Sequence, residues 1–452
     1  MLLLVRGEFF ASFGTLFLPA ASPLPPVGPS DCYRLLDQTA THLPSSRALI
    51  HKNNEGLMSS RKNLEIEYLR GAAVAMTLLS HVNMLLPFHV DTLLRIFSIF
   101  MPWTGVDLFF CISGFVVSKA YLDYFDKHRA QGQFGLAAAC FWLRRAYRLL
   151  PTAWLWILIP LFFSVVFNQS NAFASWYDNL RSFTAVATFS GNLANQYNSL
   201  LGPSPQYWSL ALEEQFYFLF PFFLLFITVP RWRVIALFAL IALQFGLDRN
   251  PFGAYPSGML SSFRLDAMLW GILLCLFTRS RLYRQIEPLG LGQGPLKPLL
   301  CTLFLLYMLG AVAIQLIAMP IAVGMVAIVA VLIVWLASYQ KGYIYCPTFL
   351  QGFMKWLGSR SYGLYVIHVF TNHLSTEIWT RVAVSQGVPL DGRFTLELLV
   401  TSVGLLLVLS ELNYRFIETP LRQRGAEIAR RKLSNEMPAA PAVVEAEQLH
   451  VK

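Results

Sequence analysis

FYFLFPFFLLFITV, residues 216–229, leaves no polar face at any helical phase, and with YWSLALEEQ (207–215) before it the stretch is long enough to cross a bilayer. Working outward from it, mostly apolar windows of about 20 residues lie near 69–88, 98–118, 149–167, 208–229, 234–247, 258–277, 298–316, 319–337, 355–374 and 395–414. Composition agrees with that pattern. AVILMFWYC make up 56% of the chain and DEKR 13%, mean hydropathy is +0.51, and a soluble domain carries about 25% charged residues. The expected fold is therefore all-α: a polytopic membrane protein with about ten transmembrane helices.

The distribution of Lys and Arg supplies an independent check, because basic residues near helix ends stay on the cytoplasmic side. With ten spans and an inside start, Arg61, Lys62, Arg144, Arg145, Arg148, Arg231, Arg233, Arg279, Arg281, Arg284 and the cluster from Arg422 to Lys432 fall on one face. Only Arg95, Arg181, Arg249, Arg381 and Arg393 fall on the other. Both chain ends are then expected in the cytoplasm. The net charge of +10 reads as attraction to membrane lipids rather than as a nucleic-acid footprint, and no nucleic-acid partner is expected. The six cysteines are dispersed, so neither a zinc site nor a disulfide framework is expected.

The ends of the chain differ from its middle. Residues 1–57 run into ASPLPPVGPS without a periodic core pattern, while Met58 opens MSSRKNLEIEYLRG, a basic leader suited to an inside-start helix. Residues 1–57 are expected to be disordered or to precede the true start, 58–424 to form the membrane domain, and 425–452 to be a disordered cytoplasmic tail.

Ionisable groups inside spans are costly and face a cavity or a partner. His81 lies 11 residues after Arg70, about 16 Å along a helix axis, which puts Arg70 near the cytoplasmic surface and His81 toward the far side. His81 reads as a general base or as a structural histidine held by a neighbouring helix. In GVDLFFCISGF (105–115), Asp107 needs a partner, and Ser113 with Gly114 lets a helix or a thin ligand approach closely. FWLRRAYRLLPT (141–152) brings Arg144, Arg145 and Arg148 to the expected cytoplasmic mouth of the third span, as phosphate-holding guanidiniums or as topology charge. In the fourth span Glu213 and Glu214 follow Ser209; adjacent helical residues point about 100° apart, so one is expected to face a site, orienting His81 or binding a hydroxyl compound, unless both serve helix contacts. Arg264 and Asp266 form a further ionisable pair, closing the outer side of a cavity or neutralising each other.

These stretches together resemble the acyltransferase-3 family of integral membrane acyltransferases. The matches are YLRGAAVAMTLLSH, GVDLFFCISGF, FWLRRAYRLLPT, YWSLALEEQFYFLFP, FRLDAMLWG, LGSRSYGLYVIH and LNYRFIETP, in the family's order over about residues 68–420. The resemblance implies ten helices and transfer of an acyl group from cytoplasmic acyl-CoA to a hydroxyl of a carbohydrate or lipid-linked glycan. Acetyl-CoA is the donor expected, as a substrate and not a resident cofactor, and the place a bacterial inner membrane. His81 matches the family's essential histidine, Arg70 its first-helix arginine, Arg145 with Arg148 its paired arginines, Ser113, Gly114 and Phe115 its SGF element, and His368 a late-helix histidine. Ser80 departs from the large residue often found before the histidine. The short stretch after the last match leads to the expectation of a stand-alone enzyme without an attached hydrolase domain. The competing reading is a multi-pass transporter of a small anionic or sugar-like solute, although no matched pair of broken helices stands out in two halves.

Overall fold

Apolar runs with few breakers must satisfy their backbone groups internally when water is absent, and helix is the local way to do so. The computed structural model describes residues 63–196, 201–245, 247, 262–316 and 319–436. In chain order its helices are α1 Leu64–Ser80, α2 Val90–Phe97, α3 Gly105–Ala130, α4 Phe134–Val166, α5 Trp176–Ala187, α6 Gly191–Gln196, α7 Tyr207–Phe226, α8 Pro230–Phe245, α9 Asp266–Phe277, α10 Arg281–Gln285, α11 Leu296–Gln315, α12 Ala322–Ser338, α13 Thr348–Ser385, α14 Thr395–Asn413 and α15 Thr419–Glu436. A π-helical turn, Tyr414–Glu418, joins the last two. Among the described residues, Asn63 and 279–287 fall in a unit apart from the rest, in which Ser280 caps α10 by accepting from the backbone N–H of Tyr283.

Among the described residues, five helical stretches are long and apolar enough to cross a membrane: Pro102–Ala130, Phe134–Val166, Tyr207–Phe226, Leu296–Gln315 and Gly392–Asn435, with two shorter apolar helices, Asp266–Phe277 and Ala322–Ser338. Their outer faces carry bare apolar side chains, among them Phe162, Val165 and Phe226 at 62%, 71% and 78% exposure. Surface of that kind needs lipid against it. The chain is an all-α polytopic membrane protein.

Three expectations change. The third window, 149–167, belongs to a helix that begins at Phe134, so Arg144, Arg145 and Arg148 lie inside α4 and not ahead of it. The Ala-rich segment before them extends the helix because it has partners: Ala137, Cys140 and Phe141 are fully buried. The first helix starts at Leu64 and stops at Ser80, leaving His81 just beyond its end at the start of a 3-10 turn. The tail expected to be disordered from residue 425 is helical through Glu436, because small residues let it lie on α4. Ala429 is fully buried and a Cβ on Gly425 would stand 2.5 Å from Tyr147 Cβ. The leader 1–57 with Met58, Arg61, Lys62 and Arg249, the first residues of the 258–277 window and residues 437–452 lie outside the described residues.

The helices that frame the interior are α1, α3, α4, α7, α9 and α13. α3 packs on α9 and α1 on α13, both at backbone distance. A Cβ on Gly114 would stand 2.1 Å from the Met268 carbonyl oxygen, one on Gly271 2.3 Å from that of Cys111, and one on Gly358 2.1 Å from that of Glu67. Ion pairs tie further segments to α3. Arg264 reaches across the fold to bond Asp107, with its guanidinium 4.2 Å over the Trp103 ring, so its acidic partner extends beyond the neighbouring Asp266 expected from sequence. Arg233 holds Asp126 at 2.6 and 2.8 Å. Truncating one member of a buried pair leaves the other charge uncompensated. Asp107→Ala is expected to destabilise the protein by about 3–5 kcal/mol, read as a lower unfolding midpoint in detergent.

Candidate active site

A cavity of about 60 Å³ opens between α1, α3, α4, α7 and α13, with Arg70, Arg148, Ser113, Glu213, Tyr217 and Tyr365 among its lining residues. The amino-acid spacing of each helix explains why these side chains converge. Ser209, Glu213 and Tyr217 follow one another at i,i+4 on α7, and such residues share a face. Ser361 and Tyr365 do the same on α13, with Tyr362 beside them.

Two guanidiniums line the cavity. Arg70 lies 3.6 Å from Glu67 on its own helix and within electrostatic reach of Arg148, Tyr217 and Glu213. Arg148 has no carboxylate at ion-pair distance among the described residues, so its charge faces the cavity. Behind them the π-turn carries Glu418, 4% exposed, within electrostatic reach of Arg148, Arg422, Arg70 and Arg360. Glu213 is tied in place: its Oε1 accepts from Ser113 Oγ and from Tyr217 OH. Ser209 Oγ and Tyr365 OH bond each other and lie 3.1 and 3.0 Å from the Gln206 carbonyl; with one hydrogen each, one hydroxyl donates to the other, which donates to the carbonyl.

His81 lies past the far end of α1. Its Nδ1 is 3.1 Å from the Thr77 carbonyl oxygen and 3.0 Å from Ser80 Oγ. A carbonyl can only accept, so in the neutral ring Nδ1 carries the hydrogen and Nε2 keeps its lone pair. Ser80 in turn donates to Thr77 O at 2.7 Å, which gives the residue that departs from the family pattern a place in holding the imidazole. Asn372 Nδ2 fixes the His81 backbone through its carbonyl at 3.3 Å, and Ser402 holds Asn372 at 2.8 Å. His368, fully buried, lies with its ring centroid 4.9 Å from that of His81, edge to face.

The structure thus brings Arg70, Arg148, Ser113, Ser209 and Glu213 to one cavity; His368 lies beside its Tyr365 wall and His81 beside His368, both outside the lining. It separates others. The carboxylate expected to orient His81 does not do so, because Glu213 is engaged by Ser113 and Tyr217, and backbone and Ser80 take the orienting part. Glu214 points the other way, into an apolar cleft of about 430 Å³ shared with Arg145, Trp142 and Phe218. Arg145 lies 4.7 Å over the Tyr217 ring, and Arg144 is not among the cavity residues. Gly114 is pressed on Met268 and Phe115 is 2% exposed, so both pack and do not line a channel. Asp107, Arg264 and Asp266 stand outside the cavity lining. The tyrosines 217, 362 and 365, Asn372 and Glu418 are additions that sequence reasoning missed; the spacing of Ser361, Tyr365, His368 and Asn372 at i, i+4, i+7 and i+11 is the signal that could have found the α13 group. No group of three or more possible metal ligands occurs among the described residues.

Comparison with known proteins adds an independent line. The chain is 29% identical over 338 residues to "Peptidoglycan O-acetyltransferase OatA" of Listeria monocytogenes, covering 71% of this chain and 51% of that protein. To "Putative peptidoglycan O-acetyltransferase YrhL" of Bacillus subtilis it is 28% identical over 368 residues, covering 71% and 50%. To "Putative O-acetyltransferase SACOL0978" of Staphylococcus aureus it is 24% identical over 347 residues, covering 71% and 53%. The chain spans about half the length of the curated relatives it matches. No solved structure matches it. These bacterial relatives and the apolar helices together describe a multi-pass bacterial membrane protein. A family model described as an acyltransferase domain matches residues 63–410, from the start of α1 into α14, and the chain belongs to this acyltransferase-3 family of integral membrane acyltransferases.

Proposed function

We propose that the chain is an O-acyltransferase of the bacterial inner membrane, moving an acyl group, acetyl by preference, from cytoplasmic acyl-CoA to a hydroxyl of a carbohydrate or lipid-linked glycan. The observation that carries the reading is a cavity lined by Arg70 and Arg148 and, outside that lining and just past the end of α1, an imidazole whose Nδ1 is tied to backbone. CoA is polyanionic, and guanidiniums suit its phosphates. Its pantetheine arm would run along the Tyr365 wall toward His81. His81 Nε2 takes the hydroxyl proton as the oxygen bonds to the thioester carbonyl carbon, the carbon–sulfur bond breaks, and CoA leaves as the thiol after taking up a proton. Glu213, held by Ser113 and Tyr217, balances the arginines, while Arg145 supports the Tyr217 ring. Glu214 has no part in this arrangement.

The same reading keeps about ten spans with both ends cytoplasmic and residues 58–424 as the catalytic domain, so that the arginines face the donor and His81 faces the acceptor. Only the acyl group then crosses the membrane. Each arginine–phosphate bond is worth about 1.5–3 kcal/mol. Arg148→Ala is therefore expected to raise the half-saturating acetyl-CoA concentration about tenfold to a hundredfold, with a much smaller change in maximal rate. Unchanged saturation in both Arg148→Ala and Arg70→Ala would remove the donor from this cavity.

A further inference from the structure

We propose that His368 positions the acceptor by accepting a hydrogen bond from a second hydroxyl beside the one that reacts, so that the acceptor is a polyol, such as a sugar ring with neighbouring free hydroxyls. The inference rests on the acyl-transfer reading above and narrows its acceptor.

The argument begins with two imidazoles in the same state. His368 Nδ1 lies 2.6 Å from the Tyr365 carbonyl oxygen, as His81 Nδ1 lies against that of Thr77. Each carbonyl requires a hydrogen on the nitrogen that faces it, so both rings keep a lone pair on Nε2. Each ring is anchored to its own helix through Nδ1, which turns Nε2 away from that helix. In His368 this atom is fully buried and has no hydrogen-bond partner among the described residues. A buried lone pair without a donor costs free energy, and the great majority of such atoms are satisfied. His368 is 1% exposed, so the missing donor must be brought to it.

Its position says which donor. Along α13 the polar stripe runs from Ser361 and Tyr365, in the cavity wall, to His368 and then to Asn372, which holds the His81 backbone. His368 therefore stands between the cavity and the base. Thioester carbonyls and sulfur offer no hydrogen to a lone pair, whereas the acceptor's hydroxyls do. One hydrogen cannot serve both rings: the reacting hydroxyl gives its proton to His81, and His368 needs another. With their centroids 4.9 Å apart, the two rings are close enough for two hydroxyls of one acceptor to address both. A simple alcohol would leave one lone pair unsatisfied, and a site built to bond a hydroxyl discriminates against compounds that lack it.

The test uses membranes containing the full chain and acetyl-CoA labelled in the acetyl group, with two outputs: CoA thiol released and acetyl ester recovered in glycan. In His368→Leu, which keeps apolar volume and removes the lone pair, the share of released CoA matched by glycan acetyl is expected to fall about tenfold, with free acetate making up the difference as water replaces a misplaced acceptor. In His368→Gln, whose side-chain oxygen can accept, that share is expected to recover in part. A share equal to wild type in both variants, whether or not the overall rate falls, would overturn the proposal, since a residue that only packs has no means of changing the partition. Wild-type membranes that release no CoA dependent on His81 would instead overturn the acyl-transfer reading, and this inference with it.

Discussion

Replacing His81 with alanine is expected to lower the maximal rate of acetyl transfer about a hundredfold to ten-thousandfold, the range for loss of a positioned general base. Half-saturation by acetyl-CoA should change little, because the arginines proposed to bind the donor line the cavity and His81 does not. The protein should still fold, since His81 is only half-buried and the bond from Asn372 goes to its backbone carbonyl, which alanine keeps. Ser80→Ala removes one of two partners of Nδ1 and leaves the Thr77 carbonyl, so its effect should be far smaller. Initial rates at matched protein level, measured over a range of acetyl-CoA, separate these cases. A His81→Ala rate within tenfold of wild type would place the base elsewhere.

The second large effect falls on the fold. Gly114→Ala would place a methyl 2.1 Å from the Met268 carbonyl oxygen and 2.9 Å from its carbon. Overpacking costs typically 1–3 kcal/mol, about that range where side chains can rotate aside. Here the obstruction is backbone, on a helix whose own Gly271 meets Cys111 equally closely, so about 3 kcal/mol or more is expected. Little folded protein should be recovered. Gly404 on α14 is the control: a Cβ there meets nothing within 4 Å, and Gly404→Ala should leave the unfolding midpoint in detergent unchanged or slightly higher. Equal midpoints for the two variants would mean that α3 and α9 do not meet as described.

Much of the architecture was legible because hydrophobicity alone decides where a helix can cross lipid: the windows at 208–229, 298–316 and 395–414 fall within a few residues of α7, α11 and α14. Boundaries set by partners were less so. Nothing in FGLAAACFWL says that α4 starts at Phe134, since that depends on what buries Ala137 and Phe141. Among the site residues, the divergence of Glu213 and Glu214 follows from the 100° helical step and is legible, but which of them faces the cavity is not. The same holds for Arg145 and Arg148, three residues apart, of which one stacks on Tyr217 and the other faces open space. Gly114 reads from sequence as room for a ligand or for a helix, and only the position of Met268 decides for the helix. His81 was legible as an ionisable group in an apolar setting; its orientation by Thr77 and Ser80 was not, because it depends on the helix ending at Ser80.

The central claim, acyl transfer from CoA to a glycan hydroxyl, is tested most directly by supplying acetyl-labelled acetyl-CoA to membranes that contain the chain and to membranes that lack it, then measuring label in the glycan fraction that mild base releases as acetate. The account predicts base-labile label only where the chain is present, and its loss when His81 is alanine at the same protein level. Glycan label that is equal in all three membranes would contradict it.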